Sequence, residues 1–99
     1  MAQFESQFIL DTQQQVTVNT GAASAAIAIG DGKRFAIWAD VPWFFLAGDS
    51  TVSATTATPS IPVAANMTME LNMGINTHIS IYNNSGSTAH VSIITARNT

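Results

Sequence analysis

The chain has no cysteine in its 99 residues, only three basic residues (Lys33, Arg34 and Arg97), and no apolar run approaching the length of a membrane span, about 18 residues. Each absence excludes something. Without thiols there are no disulfides, no thiolate nucleophile and no zinc–thiolate site, and the fold rests on packing and association. A net charge of −3 with so few cations cannot neutralise a row of phosphates, so neither a nucleic-acid backbone nor an anionic membrane surface is an expected partner. The opening MAQFESQFIL lacks the basic flank and long apolar stretch of a secretory signal, which points to assembly in the cytoplasm.

Charge of either sign is scarce. Charged residues make up 9% of the chain where about 25% is usual, while the hydrophobic share of 46% is ordinary, so the polar remainder is mainly Thr, Ser, Asn and Gln. A chain of this length forms one domain around one core.

What is present alternates with period two, the mark of strands buried on one face. Val16 and Val18 alternate with Gln15, Thr17 and Asn19; Phe35, Ile37 and Ala39 with Arg34, Ala36 and Trp38; Ile79 and Ile81 with His78, Ser80 and Tyr82; Val91 and Ile93 with His90, Ser92 and Ile94. Met67, Met69, Leu71 and Met73 share one face against Thr68, Glu70 and Asn72, either as core filler or as a contact surface. The flanking glycines of GAASAAIAIG favour a strand over a helix. Gly30-Asp31-Gly32 supplies one turn, and Asn83-Asn84-Ser85-Gly86 predicts a hairpin between the last two strands. The uncharged stretch at residues 50–60 reads as an edge strand or as a loop over a neighbour. About seven to eight short strands at this spacing predict an all-β fold: a single small antiparallel β-sandwich or jelly-roll-like barrel at residues 21–99. Residues 1–20 form an N-terminal arm or a first strand.

The most apolar stretch is DVPWFFLAGD at residues 40–49. Trp43 and Phe45 point opposite to Phe44 and Leu46, so one pair fills the core and the other needs a covering loop or another subunit. Trp38, opposite Phe35 and Ile37, adds aromatic surface. Phe4, Phe8, Trp38, Trp43 and Phe44 are therefore the interface candidates, expected to support a homo-oligomer, a trimer, burying about 800 Å² per partner. Residues 1–12 are expected to order against a neighbour or a shell.

Catalytic chemistry is sparse. Asp31, Asp40 and Asp49 sit at turns, where such residues bond their own backbone. His78, His90 and Glu70 are the one set that approaches a site, if their strands lie side by side, and no third metal ligand is implied beside the histidines. No catalytic residue, cofactor or metal site is predicted, and the protein is expected not to be an enzyme. Trp38, Trp43 and Tyr82 offer stacking platforms for a carbohydrate as an alternative.

The order of segments has a familiar form. GAASAAIAIGDG leads to FAIWADVPWFFLAGDS, then the Thr/Ala stretch SATTATPS, then IPVAANMTMEL, and finally THISIYNNSGSTAHVSIITA. Across residues 21–96 this resembles small all-β virion proteins of tailed bacteriophages, including the head decoration, or cement, proteins. The resemblance implies a capsid-surface role on the lattice of a major capsid protein, with no active-site residues to carry over; a tail, collar or fibre component is the related alternative.

Overall fold

A computed structural model describes residues 10–57 and 59–96. The strands are β1 (Leu10–Val18), β2 (Ala22–Ala23), β3 (Ile27–Ala28), β4 (Arg34–Ala39), β5 (Trp43–Gly48), β6 (Ile61–Val63), β7 (Met69–Asn72), β8 (His78–Asn83) and β9 (Ala89–Ala96). Their antiparallel pairing is nested. β5 pairs with β6, β4 with β7, β2 and β3 both with β8, and β1 with β9. The chain is thus one long hairpin wound on itself, and the winding distributes its arms between two sheets, β1-β9-β4-β7 and β2-β8-β5-β6, with β3 also on β8. This is the jelly-roll form of the antiparallel sandwich.

Period-two alternation decides what lies between the sheets. The first sheet contributes Val18, Phe35, Ile37, Val91 and Ile93, and the second Trp43, Phe45, Ile79 and Ile81, all buried. Phe35 meets Phe45 across the gap with ring centroids 6.1 Å apart, and Phe45 meets Trp43 edge-on at the same distance. Each fully buried isoleucine of this set stabilises by about 2 kcal/mol. Met73 is buried and Met69 packs against the core, whereas Met67 and Leu71 are exposed. The methionine row is therefore split, with exposure alternating even along β7 between Met69 and Leu71.

Two local expectations change, and for residues 10–18 the first-strand alternative holds. The last two strands do not form a hairpin: β8 belongs to the second sheet and β9 to the first. Asn83 explains the crossing. Its buried amide donates to the carbonyls of Val18 at 2.9 Å and Ser87 at 2.6 Å, and its side-chain oxygen accepts the Ser85 N–H at 3.0 Å. That fastens the β8–β9 connection onto the β1–β2 connection, while Gly86, at φ +90°, makes the turn. GAASAAIAIG is an interrupted strand: the Ser24 N–H still donates to the Ile81 carbonyl at 2.7 Å, but the Ser24 hydroxyl, in place of its carbonyl, accepts the Ile81 N–H at 3.0 Å. Residues 10–18 are an integral strand of the first sheet, carrying Val16 and Val18 to the core.

Candidate functional site

The interface candidates lie in separate layers. Trp38 is half-buried on the outer face of the first sheet. Trp43 is only 1% exposed and belongs to the core, so it presents no surface, and its indole N–H has no hydrogen-bond partner among the described residues. Phe44 is half-buried on the outer face of the second sheet, in a cross-strand row with Ala23, Tyr82 and Pro62. Phe4 and Phe8 lie outside the described residues. Trp38, Trp43 and Phe44 do not share one surface, because strands β4 and β5 belong to opposite sheets and Trp43 points between them. The same separation divides the carbohydrate set: Trp38 and Tyr82 face away from each other.

Part of the second sheet's outer face, over Gly48 and Ser80, is covered by its own chain, while Phe44 and Tyr82 beside it stay half-buried. Gly48 lies so close under Val52 that an added Cβ would be 3.1 Å from it. Ser80, fully buried although it points outward, accepts the Ala54 N–H at 3.0 Å and donates to the Ser24 carbonyl at 3.2 Å. The strap is itself held by Ser60, whose hydroxyl accepts the Thr55 N–H at 2.9 Å. The described residues of the 50–60 stretch therefore follow the covering-loop alternative.

The first sheet's outer face has no such cover among the described residues. Its register sets Gln13 beside Ile94 and Ala36, and Gln15 beside Ser92 and Trp38. A shallow depression is lined by Ala36, Ile37, Trp38, Thr68, Ser92 and Ile94. Among the described residues, charges stand at its margins and are paired. Arg34 Nε is 3.7 Å from Glu70, and Lys33 Nζ is 2.8 Å from Asp11. At the other end Asp40 takes the backbone N–H of His90 at 2.8 Å and its ring N–H at 2.8 Å. These bonds, the backbone one foremost, hold the Asp40 carboxyl below its ordinary value. Asp40 thus ties β4 to β9 instead of bonding its own turn. Asp49 does act as a turn residue, held low chiefly by the Thr51 hydroxyl and then by its N–H.

The possible chemical set disperses. His78 lies on β8 with its ring against the Thr77 hydroxyl, His90 lies on β9 against Asp40, and Glu70 lies on β7, which pairs with β4 and not with either histidine strand. No group of three metal-ligating side chains occurs among the described residues. The residues that were not singled out in the sequence are Gln13, Gln15, Ser92 and Ile94. Ile94 carried the visible signal: an apolar residue in phase with His90 and Ser92.

No protein-family model and no curated protein matches this chain. Among solved structures, a Bacillus endospore appendage protein, described as forming "a novel family of disulfide-linked pili", is 15% identical over 95% of this chain and 93% of that one, with a TM-score of 0.45. A de novo designed double-stranded β-helix is similar at 20% identity, covering 86% of this chain and 99% of that one, with a TM-score of 0.64. That second likeness establishes the fold: a small all-β sandwich whose two sheets are wound as a double-stranded β-helix.

Proposed function

We propose that the chain is a non-enzymatic structural protein that attaches to a repetitive protein shell and reinforces it, in the manner of the head decoration proteins of tailed phages. The carrying observation is the contrast between the second sheet, strapped over Ser80, and the open outer face of the first, where Trp38, Ile94 and Ser92 form an uncharged centre with the Arg34–Glu70 pair along the β7 side. Interface cores are depleted of charge and enriched in aromatics. A face of this kind suits many shallow contacts repeated over a lattice, where affinity comes from copy number. In this reading the partners are a major capsid protein lattice and further copies of the chain, on the surface of a virion assembled in the cytoplasm. Sedimentation with expanded phage heads lacking their decoration tests it: the protein pellets with the heads in many copies per particle, and Trp38→Glu abolishes pelleting. Few copies on a purified particle favour a tail, collar or fibre position.

Carbohydrate binding is the second reading, favoured by the depression in which Trp38 lies between Ser92, Thr68 and the glutamines of β1. An indole beside amides and hydroxyls can stack on a sugar and bind its hydroxyl groups. Glycan retention by the isolated wild-type protein, lost in Trp38→Ala, would select it.

A further inference from the structure

The four edges of the two sheets are not equally guarded. Exposed edges invite pairing with another chain, and natural proteins blunt them with short strands, charge, proline or bulges. The β7 edge has four residues and carries Glu70; the β6 edge has three, one of them Pro62; the β2 and β3 edge is broken at Ser24 into two-residue pieces. β1 has none of these devices over most of its length. It runs nine residues, Leu10–Val18, without proline or lysine, and among the described residues it pairs with β9 alone. Its one irregularity falls between Leu10 and Thr12, and its one charge, Asp11, is taken by Lys33. Residues 12–18 therefore present a regular, uncharged strand edge.

That edge is complementary to itself. In LDTQQQVTV, an antiparallel copy centred on Gln14 sets Gln13 opposite Gln15, Thr12 opposite Val16, Asp11 opposite Thr17, and Leu10 opposite Val18. Amide meets amide, β-branched meets β-branched, apolar meets apolar, and no like charges oppose one another. Such cross-strand pairs are the unit of sheet stabilisation. Directly opposed residues share a face, so Gln13 and Gln15 of both copies stay on the side that carries Trp38. The adjoining chain at residues 22–28 has only Ala, Ser and one Ile, and the open space between it and β1 leaves room for a neighbour's strand.

We propose that β1 is a self-pairing edge, through which two copies of this chain join antiparallel about Gln14 into one continuous eight-stranded sheet. The two-fold replaces the trimer expected from the sequence, and it stands whether or not the protein covers a shell. Its effect is to merge two Trp38 faces into one surface of double width.

Light scattering on the full chain gives the first test: the wild type elutes at about twice 10.4 kDa. The exposed pair Gln13→Lys and Gln15→Lys places four ammonium groups around the axis and yields monomer with an unchanged far-UV spectrum. The corresponding Gln→Glu pair is also monomeric, and an equimolar mixture of the two restores the dimer. The absence of native cysteine allows a register test. Mild oxidation links Gln14→Cys across the axis, where directly opposed Cα atoms lie about 4.5–5.5 Å apart, and leaves Thr17→Cys unlinked. A monomeric wild type, a dimer that survives the lysine pair, or linkage of both cysteine variants to the same extent overturns the proposal.

Discussion

On the second sheet Ser80 points away from the core and is nevertheless fully buried, beneath Ala54 and beside Ser24; on the first sheet Ser92 and Trp38 point away from the same core and are only half-buried. The inner faces are alike, each offering aromatic and branched side chains to the other. The difference lies outside. One sheet has a second cover over Ser80 and Gly48 supplied by residues 50–57 and 59–60 of its own chain, and the other has none among the described residues. An antiparallel sheet is stable with one face in water, so the open face is tolerated by the fold and open to use in assembly.

The equality of the inner faces is the first thing to break. Phe35→Ala in the first sheet and Phe45→Ala in the second should each cost about 3–5 kcal/mol, because the rings contact each other and each leaves a cavity. Urea unfolding measures both, and a large inequality would show that one sheet carries the core alone. Next comes the strap. Ser80→Ala leaves the Ala54 N–H without its acceptor in a buried place, at a cost of about 2 kcal/mol. Limited proteolysis should then cut within residues 50–60 faster than in the wild type; equal rates would mean that the strap is held elsewhere.

The open face should respond in the opposite way. Trp38→Glu is expected to change stability by about 1 kcal/mol or less while removing the shell attachment proposed above. Loss of the fold on heating at a much lower temperature would assign Trp38 to packing instead. The smallest effect is electrostatic. Asp40 and Asp49 both have folded-state values held below the ordinary 3.8, so their contribution is present above that value and is lost as pH falls through the depressed one. Asp40→Asn and Asp49→Asn should each flatten the acid limb of the domain's single melting transition. Melting scans between about pH 2 and 6 measure both. An unaltered acid limb in both variants would place the acid sensitivity elsewhere.

The strands were legible because alternation is local. Phe35 and Ile37, Ile79 and Ile81, and Val91 and Ile93 announce their inward direction within a few residues of chain. Which sheet each strand joins was not legible, since Asn83-Asn84-Ser85-Gly86 suits a hairpin as well as a crossing, and only the contacts of Asn83 with Val18 and Ser87, remote and near, decide between them. The candidate face failed for a related reason. Trp43 and Trp38 are five positions apart, and their separation into core and surface depends on the two strands parting at Pro42 into different sheets. Ile94 was visible as an apolar residue in a polar phase, but its meeting with Trp38 and Ala36 needs the β4–β9 register. Asp40 looked like any turn aspartate, because the His90 that holds it is 50 residues away.

The nested pairing also sets a schedule. β5 and β6 close over the shortest stretch of chain, whereas Thr12 meets Thr95 across 83 positions. Closing wide loops is slow, and jelly rolls of high contact order fold in milliseconds to seconds, not microseconds. During synthesis at about 5–20 residues per second, β1 emerges several seconds before β9 exists. For that interval the strand with the least guarded edge has both edges bare. Nascent chains on one message carry their β1 segments near each other in that condition, so the order of winding decides how long premature pairing between neighbours can compete with completion of the sheet.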